Sequence, residues 1–163
     1  MDRQFFIASA QAMERSMYCI ARSYLRCEAD CEDALQNALL RAWEKRNTLR
    51  EERYFRTWLT RILINSCKET LRRQKRETPA ADFPEAAAPQ GADPALWESL
   101  RALDEKYRII VVLHYRDGYS VREIASILRV PEIPRSGRQQ RNLHRQEHRR
   151  RSGRPRNHRQ QSV

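Results

Sequence analysis

Residues 54–76, YFRTWLTRILINSCKETLRRQKR, carry the strongest structural signal in this chain. Apolar side chains recur every three or four positions, which predicts an amphipathic helix. Aromatic side chains next to basic side chains can bind single-stranded DNA, because the bases stack on the aromatic rings while the phosphates pair with the basic groups. A core-facing aromatic stripe on a helix with a solvated basic face gives the same pattern. The apolar face holds Phe55, Trp58, Leu59, Ile62 and Leu71, and the basic side chains are Arg56, Arg61, Arg72, Arg73, Lys75 and Arg76.

Two apolar stripes with helical spacing precede this segment. Between them the acidic stretch 28–33 suits the first turn of a helix, where negative charge is favoured. Residues 1–77 are therefore predicted to form a three-helix bundle. The first stripe comprises Met13, Met17, Ile20 and Tyr24, and the second comprises Leu35, Ala38, Leu39, Ala42 and Trp43.

Residues 78–94 contain four prolines, which predicts a flexible linker. A second helical domain is expected over 95–132. Within it, the β-branched stretch 109–113 is compatible with a strand, but helical spacing continues through it and favours a helix buried on most sides. That spacing is shown by Leu103, Tyr107, Ile110, Val111 and His114.

The end of this second domain resembles half of a helix-turn-helix motif. Ser120 and Glu123 have the spacing of a capping box, in which each side chain bonds the other residue's amide. The apolar positions Val121, Ile124, Ala125 and Leu128 follow, and 129–132 is expected to be a turn. A capped helix followed by a turn predicts a second helix beyond it.

Charge is very unevenly distributed. The net charge of the chain is +11, and residues 129–163 hold eleven arginines and two glutamates, a net +9. Such a tail attracts polyanions. The predicted fold class is all-α: two small helical domains joined by a flexible linker, followed by a disordered basic tail over 133–163.

Four cysteines without a long apolar run indicate a reducing cytoplasm. Cys27 and Cys31 share a helix face, but zinc needs two further ligands, and all four histidines lie in the last third of the chain. No cofactor or metal is expected. The dense acidic group at 28–33 resembles a solvated helix face rather than a catalytic cluster, so an enzyme is not expected.

Three ordered blocks resemble the sigma factors of bacterial RNA polymerase, in the extracytoplasmic-function (ECF) group. Residues 32–43, EDALQNALLRAW, are similar to the helix that docks on polymerase. Residues 55–59 with Ile62, Asn65 and 71–73 are similar to the promoter-melting helix. Residues 107–125 are similar to the fourth region, which reads the minus-thirty-five element. The resemblance implies a polymerase-docking domain over 1–77 that also recognises and melts the minus-ten element.

The resemblance also implies functional residues. Asp33, Gln36, Asn37 and Arg41 would contact polymerase, although an exposed polar helix face looks the same. Loop 47–54 would form a pocket for a flipped minus-ten base, or be an ordinary surface loop. Trp58 is assigned to packing rather than to DNA. The residues implied in DNA binding are Asn47, Tyr54, Arg56, Arg61, Asn65, Arg72, Arg73 and Arg76, with Arg138 and Arg141 adding non-specific, salt-dependent contacts from the tail.

The resemblance fails after Glu132. The family continues with a recognition helix, whereas from Pro134 onward the only aliphatic side chains here are Leu143 and Val163. Arg135 and Gln139 stand where apolar residues should be buried, and burying an unpaired charge is costly. A frameshift near codon 133 explains this composition, and a natural disordered extension is the alternative. Whether the tail is a frameshift product or a natural extension, minus-thirty-five recognition is expected to be impaired.

The predicted function is therefore a sigma factor that binds core RNA polymerase and directs initiation at specific promoters. A helix-turn-helix regulator that acts without polymerase is the alternative, although the docking and melting helices argue against it. The expected partners are core RNA polymerase, promoter DNA and an anti-sigma factor, with no small-molecule substrate and no membrane insertion. The expected location is the bacterial cytoplasm, associated with the nucleoid.

Overall fold

The computed structural model describes residues 1–77, 88 and 93–130. Within these residues the fold is all-α, as predicted, and contains no strand. The described helices all belong to one compact unit, Met1–Pro131. They are α1 (Arg3–Ala12), α2 (Glu14–Tyr24), α3 (Glu28–Glu44), α4 (Phe55–Glu77), α5 (Pro94–Arg101), α6 (Glu105–Val111) and α7 (Val121–Leu128).

The first 77 residues hold four helices, one more than the sequence pattern predicted. Asp2 caps α1 by accepting a hydrogen bond from the Gln4 amide at 3.3 Å. Helix α1 ends at Ala12, and Met13, whose side chain is buried, separates it from α2. The expected stripe of Met17, Ile20 and Tyr24 is buried along α2.

The core of this part lies between α2, α3 and α4. Ala34, Ala38 and Ala42 of α3 are fully buried, and small side chains at every fourth position let α4 approach closely. Leu59 and Leu63 of α4 are also fully buried. These buried side chains hold α4 against α2 and α3.

Residues 93–130 confirm helix rather than strand at 109–113. Helix α6 continues into a π-helical turn over Val112–Arg116. The buried side is Ile109, Val112 and Leu113. The stripe expected to be buried is instead largely exposed, because the inward face lies one to two positions away: Leu103 is 39%, Tyr107 54% and Ile110 42% exposed, and His114 is also exposed.

Helix α5 begins at Pro94, at the first helical position where proline is favoured. The capping box of α7 is confirmed: the Ser120 hydroxyl accepts from the Glu123 amide at 3.3 Å, and the Glu123 carboxylate accepts from the Ser120 amide at 2.8 Å. Helix α7 ends at Arg129, whose φ of +55° is left-handed. The linker prediction covers 78–94, of which the structure describes Ala88, Asp93, which caps α5, and Pro94, which begins it. The tail prediction, 133–163, lies outside the described residues.

One apolar core runs through both sets of helices. Tyr119, Ile124 and Ile127 join the same buried cluster as α2 and α4. Helix α7 packs on α4, and α6 packs on α2. Helices α6 and α7 therefore cover part of the surface of the first four helices.

Candidate nucleic-acid interface

The predicted docking residues on α3 divide into two groups. Asp33 and Gln36 are exposed and one turn apart on the outer side of the helix. Asn37 and Arg41 lie next to α4, and Arg41 pairs with Glu69 of α4 at 2.6 Å. The four residues thus do not form a single outer face.

A cationic groove lies between α3 and the C-terminal half of α4. Its volume is about 800 Å³. Five of its side chains are basic and one is acidic, so phosphate groups are attracted to it. The residues that line it are Asn37, Arg41, Ser66, Glu69, Thr70, Arg72, Arg73, Lys75 and Arg76. The groove therefore joins residues predicted to bind polymerase with residues predicted to bind DNA.

The loop before α4 consists of two short 3₁₀ turns, Arg46–Thr48 and Glu52–Tyr54. Asn47 is exposed and Tyr54 is 51% exposed, so both are accessible to a ligand. Arg53 lies over the Tyr54 ring with 4.9 Å between guanidinium and ring centroid. An exposed ring beside a cation can stack on an unpaired base.

The aromatic residues at the start of α4 have different roles. Phe55 is buried, and its ring meets Phe6 edge-to-face with centroids 5.6 Å apart. Trp58 is half-buried and packs against the core, as its position in the stripe predicted. Asn65, further along α4, is exposed.

Two of the predicted DNA-binding arginines face other parts of the protein. The Arg56 guanidinium lies 4.2 Å from the centroid of the Tyr119 ring and donates a hydrogen bond to the Asp117 carbonyl. The Arg61 guanidinium donates to the Ser126 hydroxyl at 3.3 Å. Arg56 and Arg61 are therefore separated from the cationic groove and engaged by the residues before and within α7. Arg138 and Arg141 lie outside the described residues.

Sequence reasoning missed Tyr119 and Asp117. Tyr119 follows Gly118, whose φ of +69° allows the turn that directs the tyrosine inward. Asp117 is 9% exposed, and burial raises the pKa of its carboxyl above the ordinary value, against the opposing effects of Ser16, Arg116 and Arg56. The only signal in the sequence is the Asp-Gly turn, which does not reveal a contact with a helix about sixty residues earlier.

The cysteine side chains have the character of core thiols. Cys19, Cys31 and Cys67 are buried. Burial raises the pKa of the Cys31 thiol to about 11 and also raises the pKa of Cys67, so both stay protonated at neutral pH. Among the described residues, no group of three or more His, Cys, Asp or Glu side chains is placed to hold a metal ion. None of the described helices is long and apolar enough to cross a membrane.

Comparisons with known proteins agree with this architecture. A family model for Sigma-70 region 2 matches residues 10–77, and one for Sigma-70, region 4 matches residues 94–133. The chain is 32% identical over 136 residues to the ECF RNA polymerase sigma factor SigM of Mycobacterium tuberculosis, covering 80% of this chain and 69% of the relative. It is 34% identical over 114 residues to the RNA polymerase sigma-E factor of Streptomyces coelicolor, covering 66% and 64%.

A solved structure has the same fold. It is the sigma factor RpoE in complex with the anti-sigma factor NepR from Bartonella quintana, with a TM-score of 0.64 and 22% identity, covering 88% of this chain and 97% of that one. At this identity the likeness concerns the fold alone. The two family models and the similarity to SigM show that this chain belongs to the sigma-70 family, in the ECF group.

Proposed function

We propose that this chain docks on core RNA polymerase through the outer face of α3 and binds the minus-ten strand through loop 47–54 and α4. The observation that carries the proposal is the placement of α3 and α4. Asp33 and Gln36 are exposed on one side of the α3–α4 pair, and the cationic groove and Tyr54 offer charge and a ring to a nucleic acid strand. Docking and strand binding therefore use different surfaces of the same bundle.

The docking role is tested by capture of purified core RNA polymerase with the Asp33→Ala, Gln36→Ala double variant. Salt is kept high enough to screen the basic tail. We expect capture to fall at least tenfold, while thermal unfolding is unchanged because both side chains are exposed. Glu32→Ala is the matched control, since Glu32 is an exposed acidic residue beside Asp33. Unchanged capture by the double variant would remove the docking assignment.

We further propose that minus-thirty-five recognition is impaired. Val121, the first residue of α7, is 63% exposed, and Val130, just after α7, is 51% exposed. The sequence that follows offers almost no aliphatic side chains to pack on them. Transcription from a promoter with a scrambled minus-thirty-five element should therefore equal transcription from the intact promoter. A marked preference for the intact element would contradict this proposal.

The origin of the tail is tested separately at the nucleotide level. A frameshift near codon 133 predicts that another reading frame continues with an apolar recognition helix of the family type. The absence of such a continuation would favour a natural basic extension.

The proposed partners follow from these surfaces. Core RNA polymerase and promoter DNA bind as described, and an anti-sigma protein is a further proposed partner, supported by the complex in which the solved relative was determined. A chain with these partners acts where the polymerase is, in the bacterial cytoplasm. It initiates transcription without catalysis of its own.

A further inference from the structure

A buried serine hydroxyl lies at the bottom of the cationic groove. Ser66 of α4 lines the groove, is 3% exposed, and its Oγ has no hydrogen-bond partner among the described residues. Burying a hydroxyl without a partner costs free energy. Folded proteins therefore keep few such groups, and one that borders a cavity has an explanation if a ligand in the cavity accepts its proton.

A second hydroxyl in the groove behaves differently. Thr70 lies one turn after Ser66, also lines the groove, and is 6% exposed. Its hydroxyl donates to the Ser66 carbonyl at 3.2 Å, which is the usual way in which a helical hydroxyl is satisfied. Within the described part of the chain the Ser66 hydroxyl makes no such bond, so it remains available to a ligand.

The side chains around Ser66 are suited to an anion. Arg73 follows Ser66 by seven residues and so shares its face of α4, and helical side chains incline toward the N-terminus, which directs Arg73 toward Ser66. Across the groove Arg41 pairs with Glu69 at 2.6 Å, so this acidic side chain is already matched. Further positive charge comes from Arg72, Lys75 and Arg76.

The chemistry of the groove favours a phosphate group. Phosphate oxygens accept hydrogen bonds and carry negative charge, so they match a hydroxyl donor beside guanidinium groups. The groove volume of about 800 Å³ lies within the range of about 300–1,000 Å³ typical of sites for small molecules. A phosphate group at Ser66 therefore leaves space for the nucleotide that carries it.

We infer that Ser66 and Arg73 form a specific phosphate site at the bottom of the groove. The Ser66 hydroxyl donates a hydrogen bond to a phosphate oxygen, and the Arg73 guanidinium pairs with the charge. Such a phosphate is carried both by a DNA strand and by a free nucleotide. As a contact to the promoter strand the site rests on the proposed function, and as a site for a free phosphorylated ligand it does not.

The Ser66→Ala variant separates a ligand contact from a structural contact. Removing a buried hydroxyl that lacks a partner should raise the midpoint of thermal unfolding of the ligand-free chain, whereas removing a satisfied one should lower it. Ser23→Ala is the matched control, because Ser23 of α2 is 1% exposed and its hydroxyl donates to the Ile20 carbonyl at 2.7 Å. This control should lose stability and keep its ligand affinity.

Two ligands are titrated into the full chain at constant ionic strength, in salt that screens the tail. Calorimetry follows pyrophosphate, and fluorescence anisotropy follows a labelled single-stranded oligonucleotide. Ser66→Ala should weaken binding by about 10- to 100-fold, because a hydrogen bond to a charged group is lost. A loss for the oligonucleotide alone assigns the phosphate to a strand. A loss for pyrophosphate shows that the site takes a free phosphorylated ligand.

The salt dependence distinguishes a hydrogen bond from general attraction. Ser66 is uncharged, so Ser66→Ala should lower oligonucleotide affinity by the same factor at every salt concentration. Arg73→Ala should instead reduce the magnitude of the slope of log affinity against log salt by ~0.7, because one phosphate contact is lost.

Unchanged affinity of Ser66→Ala for both ligands would overturn the inference, and so would a fall in its unfolding midpoint. The proposed function is judged on the unaltered chain. If that chain captures no core polymerase or binds no oligonucleotide, but binds pyrophosphate through Ser66, the proposed function fails and the phosphate site stands. Normal capture and oligonucleotide binding with no effect of Ser66→Ala would do the reverse.

Discussion

The two halves of α4 are built from similar residues but have different surroundings. Arg56 and Arg61 in the first half contact the Asp117 carbonyl, the Tyr119 ring and Ser126. Arg72 and Arg73 in the second half line an open groove. The sequence assigns all four arginines the same role, and the packing separates them. The four arginines therefore have different neighbours in the fold, although Arg56 itself remains exposed.

The difference has a simple physical cause. The first half of α4 carries Thr60, which is buried and forms a hydrogen bond with Tyr119. The second half carries Glu69, which pairs with Arg41 of α3 and leaves the neighbouring cations facing solvent. One polar residue thus contacts the turn before α7, and the other forms part of the wall of the groove.

The largest expected effect comes from breaking the core that both halves share. Leu63 of α4 is fully buried, and Leu63→Ala should lower the free energy of unfolding by ~3 kcal/mol through lost burial and a residual cavity. Urea denaturation should show one transition, because the core continues into α6 and α7. The control is Leu40→Ala on α3, where Leu40 is 61% exposed. Two separate transitions would contradict the shared core.

The second-largest effect is expected at Arg72 and Arg73, which line the groove in the second half of α4. Arg72→Ala with Arg73→Ala should reduce promoter opening by about tenfold and polymerase capture much less. Each lost phosphate contact should also lower the slope of log affinity against log salt by ~0.7 for a single strand. Arg15→Ala is the control, because Arg15 is exposed on α2, away from the groove. Equal losses of opening and capture would show that the groove serves docking.

The third prediction concerns Asp117, whose carbonyl contacts Arg56 in the first half of α4. The free energy of unfolding should depend on pH through its carboxyl group. Burial raises the pKa of this carboxyl above its ordinary value of 3.8, so above that raised pKa the folded protein bears the cost of a buried charge. As pH falls through the raised pKa toward 3.8, the folded state binds the proton first and the cost disappears.

The measurement is the difference in free energy of unfolding between Asp117→Asn and the original chain. We expect the difference to be most favourable to the variant at neutral pH and to shrink as pH falls through this window. The exposed Asp104→Asn change controls for the loss of one negative charge. A difference that grows with acidification would show that Asp117 is stabilised as the anion.

The smallest effect is expected at the Arg41–Glu69 pair. Both side chains are about half exposed, at 41% and 50%, so Glu69→Gln should change the free energy of unfolding by less than ~1 kcal/mol. It also removes the negative charge of Glu69 from the groove, which should strengthen strand binding slightly at low salt. A large loss of stability would show that the ion pair, rather than the apolar core, fixes α3 on α4.

Much of the fold was predictable from local pattern. The stripes on α2, α3 and α4 and the capping box at Ser120 concern residues within one or two helical turns, and all are present in the structure. The expectation that the helix through 109–113 is buried on most sides was wrong, because Tyr107 and Ile110 are exposed. A π-helical turn follows at Val112, and the side that is buried depends on α2 and α4.

The candidate site was predictable in composition but not in grouping. The sequence identified Asn37, Arg41, Arg72, Arg73 and Arg76 but divided them between two partners, whereas they line one groove. It missed Tyr119, because nothing near that residue in sequence indicates Thr60 as its partner.

The sequence by itself determined most of the helices, the capping box at Ser120 and the excess of positive charge, because these depend on spacing, local hydrogen bonding and composition. Only the tertiary structure decided which cations are available, since that depends on residues about sixty positions apart that meet in the shared core. Arg61 and Arg72 look alike in the chain. One reaches a serine of α7, and the other faces an open groove.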